Sequence, residues 1–132
     1  TAHLYAAHDY LDQIGPSGTL QDLKRARFIG LDRNAEMIAY MADYGLHLSV
    51  DQFRFNSPSG RVLYELVRLG LGVSILTRDI EAHADTIVPI LPETFAIPIP
   101  VWLVTHRELH TSKRIRVVYD MLAEELPRFA PA

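Results

Sequence analysis

The chain has 132 residues, 48% of them hydrophobic and 22% charged, a balance that suits one soluble globular domain, or a piece of a larger one, with enough apolar surface to bury a core. It contains no cysteine, which excludes disulfides, thiolate catalysis and zinc–thiolate sites. With 13 Lys+Arg against 16 Asp+Glu, a net charge of −3, it lacks the basic excess of a nucleic-acid-binding surface, and no apolar run approaches the roughly 18 residues of a membrane span. The opening Thr1-Ala2-His3-Leu4-Tyr5 has no basic start and no leader-like run, and a chain without an initiator Met is expected to be a fragment or a processed product.

Residues 4–7 form a short apolar run, and residues 9–14 predict one or two helical turns stopped by Gly15-Pro16. Thr19-Leu20-Gln21-Asp22 fits a capping box, in which the hydroxyl takes an orphan N–H and the carboxylate reaches back, and it predicts a short helix to about Arg25. A strand is expected at residues 28–31. Asn34 is placed to cap the next helix, with Ile38, Met41 and Ala42 as its stripe and Gly45 as its end. From Leu46 the period changes to two, through Leu48, Val50, Phe53 and Phe55.

Asn56-Ser57-Pro58-Ser59-Gly60 is turn chemistry before a helix that should bury Val62, Leu63, Leu66 and Val67 and end at Gly70. Gly72 lets the following apolar strand, residues 73–76, start close by. A short helix is expected at residues 79–84, a strand at 87–91 and, after Pro98 and Pro100, an edge-like strand at 101–104. Ser112 should cap a last helix with Ile115, Val118, Tyr119, Leu122 and Leu126 on one face, closed by Pro127. Strands alternating with helices predict an α/β sheet with parallel pairings.

In such sheets ligands gather at the C-terminal ends of strands, where the next helix presents its N-terminus. Two junctions qualify: Gly30, Leu31, Asp32, Arg33 and Asn34, then Asn56, Ser57, Pro58, Ser59 and Gly60. Free backbone N–H groups and the positive end of a helix dipole favour an anion, and Arg33 could add a charge-assisted bond. The competing reading makes Asn34 and Ser57 simple caps and Arg33 a solvated side chain. Gly70 and Gly72 follow a helix and precede a strand, the reverse of a phosphate loop. His106-Arg107-Glu108-Leu109-His110 misplaces its Glu for a zincin motif, and Asp79, Glu81, His83 and Asp85 fit a solvated helix. No metal site, cofactor or catalytic group is expected, and Ser57 and Ser59 lack a nucleophile-elbow context.

Several stretches in order resemble the effector-binding (substrate-binding) domain of LysR-type transcription regulators. Residues 4–11, Leu4-Tyr5-Ala6-Ala7-His8-Asp9-Tyr10-Leu11, look like the strand and helix that cross between the two lobes of that domain. Residues 19–23 followed by Phe28-Ile29-Gly30 are similar to its helix and strand passage. Val67-Arg68-Leu69-Gly70-Leu71-Gly72-Val73-Ser74-Ile75-Leu76 matches its helix, Gly-x-Gly and apolar strand, with Thr77 where a proline often follows. Pro100-Val101-Trp102-Leu103-Val104, then residues 113–116 and 120–122, resemble its last strand and final helix.

The resemblance implies a periplasmic-binding-protein-like (type 2) α/β fold with a mixed, partly parallel sheet. Residues from about 6 to 91 would form the second lobe, and those from about 97 to 132 the strand and helix that return to the first. The DNA-binding winged helix-turn-helix is not in this chain. The implied function is non-enzymatic: sensing a small, often anionic metabolite, which shifts a homodimer or tetramer on DNA in the cytoplasm, without a membrane. The candidate effector residues, taken from the two strand-end junctions, are Leu31, Asp32, Arg33, Asn34, Asn56 and Ser57. A lobe of a periplasmic solute-binding protein or a small α/β enzyme are the alternatives. Self-association is also expected through Val101, Leu103, Ile115, Val118, Leu122 and Leu126, which would otherwise face water; the alternative is that the last helix folds back on its own lobe and covers that surface within one chain.

Overall fold

A computed structural model describes residues 1–32, 34–77, 86–106 and 112–129. Among the described residues the strands and α-helices follow in chain order: β1 (Ala2–Ala7), α1 (His8–Ile14), β2 (Phe28–Gly30), α2 (Asn34–Asp43), β3 (Phe53–Asn56), α3 (Gly60–Arg68), β4 (Ser74–Thr77), β5 (Ile87–Ile90) and α4 (Lys113–Phe129). Short 3-10 turns lie at Asp22–Arg25 and Val50–Gln52. The chain divides into two units, Ala2–Ile97 and the segment from Pro98 onward.

In the first unit β1 is buried on both faces at Leu4, Tyr5, Ala6 and Ala7, as a central strand must be. It pairs antiparallel with β4 (Leu4 opposite Ile75) and with β5 (Leu4 opposite Ile90). β2 and β3 form a parallel pair, tied to the other three strands through one parallel bridge, Phe28 to Val73. The sheet is therefore mixed: β2, β3, β4 and β5 run one way and β1 the other.

The period of two along β1 divides the core. Leu4 and Ala6 join Tyr10, Phe28, Phe53 and Val73 in one cluster, and Tyr5 joins Ile29, Leu63, Val67, Leu76 and Ile87 in the other. α3 reaches the second cluster with Leu63 and Val67. Truncating a buried leucine such as Leu63 to alanine costs about 2–5 kcal/mol. Val62, expected in the core, is 44% exposed, because it sits a third of a turn from Leu63 and off the stripe that faces the sheet. In α1 the buried Tyr10 accepts the Arg27 backbone N–H at 2.6 Å, and the Arg27 guanidinium lies 5.2 Å from its ring centre.

The capping box at Thr19 forms as read: the Thr19 N–H donates to Asp22 Oδ2 at 2.9 Å and the Asp22 N–H to Thr19 Oγ1 at 3.4 Å. The alternation from Leu46 to Phe55 does not become one long strand. Only Phe53–Asn56 pairs, since Ser49 and Gln52 make a capping box that winds Val50–Gln52 into a turn. Gln52 accepts the Ser49 N–H at 3.0 Å, and its amide nitrogen reaches the carbonyls of Leu23, Lys24 and Ala26 at 3.2, 3.2 and 3.0 Å. One polar side chain thus stitches two loops beneath β3, which a reading of apolar periodicity overlooks.

In the second unit α4 starts directly after Ser112, whose carbonyl accepts the Arg116 N–H at 3.0 Å. The helix continues past Pro127, the expected stop, to Phe129. Arg128 pairs with Glu124 at 3.6 Å and Glu125 at 2.6 Å, side-chain contacts that span the turn in which proline removes a backbone bond. Residues 101–104, expected as a strand, are in no ladder among the described residues. Pro98 and Pro100 remove two backbone donors on the approach, and an extended segment becomes a strand only against a partner. Ile99, Val101 and Leu103 instead line a 420 Å³ groove with Tyr119, Ala123, Leu126 and Pro127. The helix expected at residues 79–84 lies outside the described residues.

Candidate functional site

β2 and β3 end side by side, and their parallel pairing brings the two loops singled out from the sequence to one edge of the sheet. The Ser57 N–H donates to the Gly30 carbonyl at 3.0 Å, extending the pairing one step beyond β3. Across the same edge Asn34 Nδ2 donates to Asn56 Oδ1 at 2.6 Å. α2 begins at Asn34 and α3 at Gly60, so the positive ends of two helices belong to these loops.

The close fit of the two amides depends on Gly30. A methyl group there would collide with Asn34 Oδ1, lie 2.7 Å from Phe53 Cδ1 and 2.9 Å from Asn56 Oδ1, so only glycine lets both asparagines close over the strand end. Asn34 does not cap α2 with its carbonyl oxygen: Oδ1 is buried and has no hydrogen-bond partner. The side chain turns sideways to Asn56 instead. The Ser57 hydroxyl accepts the Ser59 N–H at 3.2 Å in a local turn, and since Ser59 is the residue that precedes α3, Ser57 is not the helix cap of the alternative reading.

Of the six candidates, Asn34, Asn56 and Ser57 are therefore tied together directly or through Gly30. Leu31 is 46% exposed and Asp32 is exposed beside them. Arg33 lies outside the described residues. Gly30 opens the first of the two junctions read from the sequence, and the close approach of both asparagines to it is what the structure adds. One neighbour carries no such signal. Thr77 ends β4, which the Phe28–Val73 bridge runs parallel to β2, so it shares this edge and is exposed. Strand direction across the sheet is a pairing fact with no local signature.

Among the described residues the site offers hydrogen-bonding groups and two helix starts, with the carboxylates of Asp32 and Glu36 beside them. Among the described residues no group of three or more His, Asp or Glu is placed to hold a metal ion. The charged residues at 79, 81, 83 and 85 and the 107–110 part of the His106–His110 motif fall outside the described residues. No helix among the described residues is long and apolar enough to cross a membrane.

The sequence profile described as the LysR substrate binding domain matches residues 1–127. No curated protein sequence matches the chain. Among solved structures, the regulatory domain of CrgA, a LysR-type transcriptional regulator from Neisseria meningitidis, superposes with a TM-score of 0.69 at 22% identity, over 95% of this chain and 64% of that domain. The longer CrgA structure gives the same score and identity with 44% of its chain covered. The regulatory domain of AphB from Vibrio vulnificus gives 0.51 at 20% identity, over 69% of this chain and 49% of its own. The chain thus spans less than two thirds of each of these three structures. With a profile match over nearly its full length and a mixed α/β sheet that superposes on regulatory domains of this kind, the chain belongs to the LysR substrate-binding domain family, with the periplasmic-binding-protein-like type 2 fold.

Proposed function

We propose that the chain is the effector-sensing part of a LysR-type regulator, and that Leu31, Asp32, Arg33, Asn34, Asn56 and Ser57 form one wall of its effector cleft. The observation that carries this reading is the Asn34–Asn56 hydrogen bond, which fastens two strand-end loops together at the starts of two helices. A small anion on that edge meets main-chain N–H groups and partial positive charge. The Asp32 carboxylate opposes a second negative charge nearby, which favours a monoanion over a dianion.

In the whole regulator, residues from about 6 to 91 act as the second lobe, and those from about 97 onward supply the strand and helix that return to the first. The effector binds one arrangement of a homodimer or tetramer better than another and shifts its population on DNA, which a separate winged helix-turn-helix contacts in the cytoplasm. The domain is a sensor without a catalytic step of its own.

A thermal-shift series with monocarboxylates, dicarboxylates and primary amines tests the proposal. A ligand that binds only the folded state stabilises by about 2.7 kcal/mol at a hundredfold excess over Kd. Monocarboxylates are expected to raise the midpoint in the parent chain and to lose that effect in Asn56→Ala. No stabilisation by any anion, or an equal effect in Asn56→Ala, refutes it.

A further inference from the structure

Ser74 is the one polar residue in the buried core among the described residues, at 2% exposure. It lies on the same face of β4 as Leu76, toward the cluster of Tyr5, Ile29, Leu63, Val67 and Ile87. Packing there is served by an alanine or valine, and a buried hydroxyl is costly unless bonded. Its bond is specific: Ser74 Oγ donates to the Ile29 carbonyl at 2.8 Å.

That carbonyl sits at a particular place in the sheet. The Val73 N–H donates to the Arg27 carbonyl at 2.9 Å and the Ile29 N–H to the Val73 carbonyl at 2.8 Å, and the pairing of β2 with β4 stops after this single bridge. A continued parallel ladder would offer the Ile29 carbonyl a main-chain donor. A side-chain hydroxyl meets it instead, one residue before Gly30 and the loop that leads to Asn34.

We propose that Ser74 is a positioning residue for the effector edge. Its hydroxyl is the last rung of the seam between β2 and β4. It fixes the Ile29 carbonyl, hence the exit of the loop through Leu31 and Asp32, and through the Asn34–Asn56 bond it fixes the neighbouring loop at Ser57. Ser74 itself is too buried to touch a ligand. The inference rests on the effector-edge reading for its purpose, but the rung itself is tested without any ligand.

The test compares Ser74→Val with Ser74→Thr in the full chain, since the two are nearly isosteric and differ in the hydroxyl. Amide hydrogen exchange is read residue by residue. Loss of one hydrogen bond predicts exchange about two- to tenfold faster at Gly30, Leu31, Asp32 and Ser57 in Ser74→Val, with Leu4, Tyr5 and Ile87 unchanged and Ser74→Thr like the parent. Should both β-branched variants unfold, Ser74→Ala gives the same comparison against the parent. Faster exchange spread evenly over all strands, or no change at the loops, overturns the inference. A second arm titrates inorganic sulfate: weaker loop shifts in Ser74→Val but not in Ser74→Thr support it, and equal shifts in the two overturn it. Absence of sulfate shifts in the parent counts against the effector-edge reading alone, leaving the exchange result to decide the rung.

Discussion

Replacing Gly72 by alanine should be among the most damaging single-methyl changes in the first unit. An alanine Cβ at this position would lie 2.6 Å from the Arg27 carbonyl oxygen, 3.2 Å from its carbon and 3.3 Å from Ile29 Cγ1, against an ordinary contact of 3.4–4 Å. The two nearest of these atoms are backbone and cannot rotate away, so the shift falls on the bridge that joins β2 to β4. Overpacking costs roughly 1–3 kcal/mol and straining the two bridge hydrogen bonds roughly 0.5–1.5 kcal/mol each. Reduced freedom of the unfolded chain returns roughly 0.4–1 kcal/mol. The net expectation is a loss of about 2–4 kcal/mol, a large share of a typical domain's stability. Urea unfolding followed by circular dichroism measures it, with Gly18→Ala as control because nothing lies within 4 Å of a Cβ there. A Gly72→Ala midpoint equal to that of the parent would show that the close approach carries no cost, and an equal drop in the control would show that the measurement does not report close approach.

Gln52→Ala should destabilise by about 1–3 kcal/mol in the same urea assay, because its amide serves the Leu23, Lys24 and Ala26 carbonyls. Gln52→Glu should be worse still, since a carboxylate turns an acceptor toward those three oxygens; a glutamate variant more stable than the alanine one would contradict the assignment. The hydrogen bond to Tyr40, with desolvation and the charges of Tyr40 and Asp43 adding to it, raises the Tyr44 phenol above its ordinary 10.0. A raised folded value means that this contribution to stability is complete below pH 10.0 and is lost as pH rises through the folded value. Tyr40→Phe should bring the Tyr44 titration down, read from ring carbon shifts, and no movement would deny the coupling. Fluorescence anisotropy at physiological salt should find no preference of this chain for an operator over scrambled duplex DNA, given its negative net charge; a clear preference would overturn that expectation. Sedimentation should detect association that Val101→Asp with Val104→Asp abolishes, since Val101, Trp102 and Val104 are 65, 79 and 81% exposed; a monomer at high concentration would remove it.

Features dictated by local chemistry were legible. Turn and breaker residues located α1, α2 and α3, the apolar runs located β1, β2, β4 and β5, and Thr19 with Asp22 formed the reciprocal bonds their spacing implied. Features that depend on a distant partner were not. The stretch from Leu46 alternates well but is diverted by Gln52, whose partners lie 26–29 residues away. Residues 101–104 carry strand composition, yet strand formation is a property of two segments. At the site, the sequence marks Asn34 as a helix cap and Asn56 as a turn residue, but the bond between them across 22 positions depends on the parallel pairing of β2 and β3. Val62 and Pro127 show the limits of local rules: one residue off a helical stripe is exposed, and a proline near a helix end is overrun when side-chain pairs hold the turn.

On the proposed function the two loops beyond β2 and β3 act as one anion-attracting edge. Residue-resolved nitrogen–proton shift mapping of the parent chain tests this, titrating sodium acetate at constant ionic strength with tetramethylammonium chloride as the opposite-charge control. Saturable shifts are expected at Leu31, Asp32, Asn34, Ser57 and Gly60, present with acetate and absent with the cation. Shifts scattered over the surface, shifts gathered elsewhere in the domain, or none at these residues would contradict it.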